Sequence, residues 1–191
     1  LFALGLASFY FLLPVRWLTR LPVALIFGLS YYLLLLSQNV FNVASIRTIP
    51  LYRAASTTAF LFTLITAFFL FNVIHAFNLL FIWNGLFVFT VGFFLILQII
   101  WSIDMKERLK TAVTVQSFTL SFSLAEISMV LSFWPMVTTM WSLTLASVMY
   151  VLIGLTTQIL RDRMGRRVLW EYLSIGTLIF LVAFLTTSWA G

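Results

Sequence analysis

Five carboxylates and one imidazole are the side chains here that could do acid–base or metal chemistry: Asp104, Glu107, Glu126, Asp162, Glu171 and His75. Glu126 is the most pointed of them, because it lies near the middle of a long apolar run. A charged or strongly polar side chain in hydrocarbon is costly, so it is expected to face the interior of a bundle. Gln116, Thr119, Ser123 and Glu126 recur at spacings of three and four and share one helix face. That face reads in two ways. It lines a transport path in which Glu126 handles a proton or cation, or Glu126 is a neutral carboxylic acid hydrogen-bonded to a neighbouring helix. The second is favoured, since no Lys or Arg lies inside any span to pair with it. A neighbouring face carries Ser117, Ser121, Ala125, Ser128 and Ser132, small residues at a spacing that lets helix backbones approach closely. This predicts that the fifth span is surrounded by other helices.

The remaining polar positions are blander. Asn72, His75 and Asn78, spaced by three, form a hydrogen-bonding edge with Asn84 across a short turn. A lone histidine there is a hydrogen-bonding residue rather than a metal ligand, and no metal site is expected. Glu171 lies one turn into the last span, within reach of Arg167 for an interfacial ion pair, and near a helix N-terminus whose dipole favours an anion. Gln38, Asn39 and Asn42, and likewise Thr156, Thr157 and Gln158, mark helix ends.

Several chemistries are excluded. Lys106 and Lys110 both lie in one loop, so no lysine sits where a retinal Schiff base would need it. One histidine forbids bis-histidine haem, and neither an H-E-x-x-H zinc motif nor a Walker A loop occurs. No G-x-S-x-G-like turn suits a rhomboid-type protease, and the aspartates are too isolated for magnesium pyrophosphate chemistry. With no cysteine there is no disulfide, thiolate site or redox pair. No catalytic residue and no cofactor is assigned.

The elements that must position these residues follow from hydropathy. The chain has 191 residues, 63% hydrophobic and 8% charged, with a mean hydropathy of +1.12. Soluble domains carry about 25% charged residues. Runs such as Leu33–Leu36 and Phe68–Phe71 do not alternate as barrel strands would. About 20 apolar residues in a helix cross a ~30 Å hydrocarbon core. The fold expected is an all-α polytopic transmembrane helix bundle forming a single domain over 1–191. Its seven apolar stretches cover 1–13, 23–43, 54–76, 79–103, 111–134, 136–160 and 168–189. Six are full spans. The first stops at Pro14 after ~20 Å of helix, so it is truncated at its start or only partial. It lacks the basic n-region and cleavage site of a signal peptide.

Orientation comes from charge. Loops 44–53, 104–110 and 161–167 hold nine of the eleven Lys and Arg residues, with Arg16 and Arg20 as exceptions. The positive-inside rule places these loops in the cytoplasm and Gly191 outside, in what is expected to be a bacterial cytoplasmic membrane. Trp17, Trp83, Trp134, Trp141 and Trp189 fall near outer span ends, and Trp101 and Trp170 near inner ends, levels that suit tryptophan at headgroups. Residues 46–53 form either a short interfacial helix or a plain connector. The net charge of +6 fits anionic lipid headgroups; with no basic stripe interleaved with aromatics, nucleic acid is not an expected partner. Three roles are compatible with this pattern. The foremost is a non-enzymatic membrane subunit or anchor that binds other membrane subunits. The next is a small transporter or channel with Glu126 in its path. The last is a lipid-acting enzyme at the cytoplasmic face using Asp104, Glu107 or Asp162.

Overall fold

Apolar runs of this length become helices because lipid offers no partner for an open backbone amide or carbonyl, and a helix satisfies each one internally. The computed structural model describes residues 1–14, 17–44, 51–104 and 111–187. Among these are seven helices and no strand: α1 Phe2–Tyr10, α2 Trp17–Ala44, α3 Tyr52–Ala76, α4 Phe81–Asp104, α5 Thr111–Leu131, α6 Thr138–Leu160 and α7 Arg166–Thr186. Six of them, α2 to α7, are long and apolar enough to cross a membrane. The protein is therefore a polytopic helical membrane protein. The nine residues of α1 rise only about 14 Å and do not make a seventh span. Instead α1 lies against α3, with the Phe2 ring edge-on to Phe62 at 5.5 Å and Phe9 against Phe69 at 4.7 Å.

Helix α2 begins six residues earlier than hydropathy suggests and takes in Pro22. A proline near a helix start forgoes little, because the first amides have no intrahelical acceptor in any case. Thr19 Oγ1 donates to the Pro14 carbonyl at 2.9 Å, and the Arg20 guanidinium stands 5.8 Å from the centre of the Trp17 ring. The possible interfacial helix at 46–53 and the basic loop 104–110 fall largely outside the described residues.

Two hydrogen bonds fix how the helix ends meet. Tyr52 Oη donates to the Ser102 carbonyl at 2.9 Å, joining the start of α3 to the end of α4. Arg161 Nη2 donates to Ser56 Oγ at 3.4 Å, joining the end of α6 to the start of α3. The ends that adjoin the three basic loops thus share one end of the bundle, hereafter the basic end. At the opposite end His75 Nδ1 on α3 and Thr138 Oγ1 on α6 are hydrogen-bonded at 3.4 Å.

The core lies between α3, α4 and α6. Ala67 and Phe71 on α3, Ile96 on α4, and Trp141, Leu145, Met149 and Ile153 on α6 are wholly buried. Trp141 keeps its place near the end of a span, but its ring points into the bundle, 4.6 Å from that of His75, rather than out to headgroups. Helix α5 is not surrounded as the sequence predicts. Its small-residue face, Ser117, Ser121, Ala125 and Ser128, is buried, and its other face is open. Close approach needs small residues on both partners, and α4 supplies Gly85 and Gly92. A Cβ at Gly92 would sit 3.2 Å from Leu124 Cδ2, and one at Gly85 would overlap Met129. Helices α2 and α7 are peripheral, with few fully buried residues.

Helix α7 is held mainly by its contact with α6, where the Tyr172 ring covers Gly154 so closely that any Cβ there would overlap it. Gly154→Leu is expected to destabilise the fold by about 1–3 kcal/mol through overpacking, seen as a lower thermal unfolding midpoint in detergent. Gly28→Leu, on α2 where a new Cβ meets nothing within 4 Å, should leave that midpoint unchanged or raise it.

Candidate functional site

The first place to look is the polar face of α5. Its four residues do share one side of the helix, but that side turns away from α4 and α6. Glu126 and Thr119 are exposed, and Gln116 and Ser123 are half-buried. The expectation that the glutamate points into the bundle is not met. The reason is competition within one helix. The tight packing against α4 claims the serine and alanine face, because only small side chains fit there, and this rotates the Glu126 face outward by about a third of a turn. Thr119 Oγ1 donates to its own helix, at the Val115 carbonyl, 3.0 Å away. Among the described residues the Glu126 carboxylate has no hydrogen bond or ion pair.

The second place is the end opposite the basic loops. Asn72 is buried on α3, His75 half-buried one turn on, and Asn84 buried at the start of α4. Asn84 Nδ2 donates to Ser132 Oγ just beyond α5, at 3.2 Å. Asn78 takes no part in this; it is exposed, has φ of +49° in the turn between α3 and α4, and its amide reaches only the Ala76 carbonyl at 3.5 Å. The asparagine side chain tolerates this left-handed conformation better than most. Asn72 Nδ2, Asn84 Oδ1 and Trp141 Nε1 are buried without a partner among the described residues. Of the four residues, His75 meets Thr138 and the Trp141 ring on α6, and Asn84 meets Ser132 beyond α5. His75 stands among Asn72, Thr138 and Trp141, and the described residues hold no group of three His, Cys, Asp or Glu suited to a metal ion.

In the first turns of α7, Arg167 Nε donates to Glu171 Oε1 at 3.2 Å. Both side chains are well exposed, 92% and 60%, so solvent or headgroups screen the pair and its worth is small. Asp162 occupies the α6–α7 turn with φ of +52°. The side chains of Asp104 and Glu107 lie outside the described residues.

The third place was not foreseen. Helices α2 and α4 both pack on α3 but not closely on each other, which leaves a cleft of about 620 Å³ whose far end is closed by the start of α1. Its deep wall is mainly apolar, from Leu34, Leu35, Phe62 and Leu95, with the hydroxyls of Thr63 and Thr66 among them. Towards the basic end it becomes polar, with Gln38 and Asn42 from α2 and Gln98 and Ser102 from α4. The hydroxyls of Thr63 and Thr66 in its wall donate to their own helix, to the Ala59 and Phe62 carbonyls at 2.8 and 2.7 Å. Gln38 and Gln98 are exposed, and among the described residues their amides make no hydrogen bond. Sequence reading took Gln38 and Asn42 as marks of a helix end and passed over Gln98. The signal available was faint: two glutamines within one to two turns of helix ends that adjoin basic loops.

The chain belongs to the family described as Protein of unknown function (DUF5656), whose model matches residues 2–186. No curated protein and no solved structure matches it.

The Asn84–Ser132 bond generates a direct test. Interhelical hydrogen bonds in membranes average about 0.6 kcal/mol by double-mutant cycles. The Asn84→Ala and Ser132→Ala pair should show a coupling energy of about that size in detergent or bicelle unfolding. Strictly additive effects would mean the bond contributes nothing.

Proposed function

We propose that this chain of the DUF5656 family is a non-enzymatic membrane subunit that docks, by the outward face of α5, against a transmembrane helix of another membrane protein. The observation that carries the reading is the exposed Glu126 carboxylate within the apolar length of α5, about 7 Å from the helix end. An acidic side chain that nothing satisfies is costly within a transmembrane helix, up to about 3 kcal/mol at the helix centre. A covering helix that offers a donor removes that cost. The spacing of Gln116, Thr119, Ser123 and Glu126 is 3-4-3, the rhythm of a helix–helix seam, and polar groups along such a seam hold transmembrane helices together. The fit is to a helix carrying hydrogen-bond donors, or a basic side chain, at the level of Glu126.

The same proposal places the basic loops on the cytoplasmic side of a bacterial cytoplasmic membrane, facing anionic headgroups, with Gly191 outside. The transport alternative with Glu126 in the path gains nothing from the geometry, because the cleft between α2 and α4 is lined by neutral amides and hydroxyls and Glu126 lies on another helix.

The chain has no cysteine, which permits a clean test. A maleimide photo-crosslinker on Thr119→Cys or Ser123→Cys in native membranes is expected to give one defined protein adduct. The same reagent on Leu185→Cys, on the exposed side of α7, should give only lipid adducts. Glu126→Leu should cut the adduct yield about tenfold, the equivalent of one interhelical contact of 1–2 kcal/mol, while leaving the thermal stability of the isolated chain intact. Equal adducts from α5 and α7, or none from α5, would exclude this surface.

A further inference from the structure

We infer that the cleft between α2 and α4 is a binding site for one anionic phospholipid of the bilayer, one of its two acyl chains in the apolar depth, the other in the surrounding bilayer, and its phosphate at the Gln38–Gln98 mouth. Three observations lead there. The volume of about 620 Å³ is in the range of sites that hold a small organic ligand. The wall is graded. Leu34, Leu35, Phe62 and Leu95 line the part nearer the middle of the helices, beside the hydroxyls of Thr63 and Thr66, while the side-chain amides of Gln38 and Gln98 stand towards the basic end among Phe41, Ile99 and Trp101. This is the polarity profile of a lipid, apolar chain inward and headgroup at the interface. Positive charge is also concentrated next to the mouth along the sequence. Beyond α2 come Arg47 and, in the first turn of α3, Arg53, and beyond α4 come Lys106, Arg108 and Lys110, together five of the eleven basic residues. Among the described residues no carboxylate lines the cleft.

Physical chemistry narrows the class further. The amide nitrogens of Gln38 and Gln98 are donors without partners among the described residues, and a phosphate or phosphodiester oxygen is a strong acceptor. The wall hydroxyls of Thr63 and Thr66 spend their protons on their own helix. They therefore present only acceptors to the cleft, which leaves the Tyr31 hydroxyl as the donor towards its far end. The paired amide donors that suit a phosphate stand at the mouth. Lys and Arg near a membrane surface attract anionic lipid further, which favours phosphatidylglycerol over a zwitterionic lipid with the same chains. The site is independent of the α5 docking surface, and α4 stands between the two.

The test uses the full chain purified in mild detergent, with phosphatidylglycerol and phosphatidylcholine of identical acyl chains as probes, read by native mass spectrometry and by thermal shift. Phosphatidylglycerol is expected to remain bound and to raise the unfolding midpoint, and phosphatidylcholine to do neither. Gln38→Leu and Gln98→Leu, both at exposed positions, should each weaken phosphatidylglycerol binding about tenfold, the usual consequence of losing a hydrogen bond to a charged group. Ala59→Phe, which fills the cleft wall from α3, should abolish binding of the lipid while leaving α5 crosslinking as it was. Equal retention of the two lipids, binding indifferent to all three variants, or capture of a polyprenyl phosphate in place of phosphatidylglycerol would each overturn the inference. If one variant fails to fold, the lipid selectivity of the unmodified chain and the remaining variants still decide it.

Discussion

Helices surrounded by lipid gain little from hiding apolar side chains from one another, because lipid tails are as apolar as leucine. What holds them is close van der Waals packing together with a few polar contacts. The arrangement of this bundle follows from where such packing is available. Gly85 on α4 meets Met129 on α5, and Gly92 meets Leu124 and Ser121. Gly154 on α6 receives the Tyr172 ring of α7, and Gly176 on α7 lies against Val151. Small residues alone are not enough: Ala24 and Gly28 of α2 are exposed, a Cβ at Gly28 would meet nothing within 4 Å, and the helix is left at the periphery with most of its leucines exposed.

The polar groups obey the same economy of space. Ser117, Ser121 and Ser128 of α5 are buried because they are small, and two of the hydroxyls turn back to helix carbonyls, Ser117 to Val113 at 2.8 Å and Ser121 to Ser117 at 2.6 Å. A serine can therefore occupy a tight interface without needing a partner on the neighbouring helix. A glutamate cannot do this, since its carboxylate offers acceptors and the helix carbonyls are acceptors too. Once size has chosen which face of α5 meets α4, Glu126 has nowhere inside the chain to go.

This explains what the sequence made legible and what it did not. The number of long spans, their limits to within a few residues, and the grouping of the basic loops follow from hydropathy and charge, which act along the chain and can be read one residue at a time. The facing of each helix is different. In a soluble helix the apolar stripe points to the core, but here nearly every side of every span is apolar, so the usual stripe carries no direction. The small residues did carry it for α5: Ser117, Ser121, Ala125 and Ser128 mark the packed face. The inference that Glu126 also points inward failed because it weighed polarity above volume. Gln38 and Gln98 were missed for a related reason. They lie sixty residues apart, each looks like an ordinary helix end, and only the gap between α2 and α4 makes them a pair.

Helix α4 has an unusual position in this scheme, since its two sides are put to different uses. One side, through Gly85, Val88 and Gly92, is shut against α5, with Val88 wholly buried. The other, through Leu95, Gln98 and Ile99, forms a wall of the cleft. The two uses are displaced along the helix: the glycines lie in its first half and the cleft residues in its last turns. The end of α4 near Asn84 is pinned by Ser132 of the chain beyond α5, and the end near Ser102 is pinned by Tyr52 of α3. A helix fixed at both ends and packed along one side holds its other side in place, so the seam with α5 and the wall of the cleft are set by separate side chains on separate stretches of one helix.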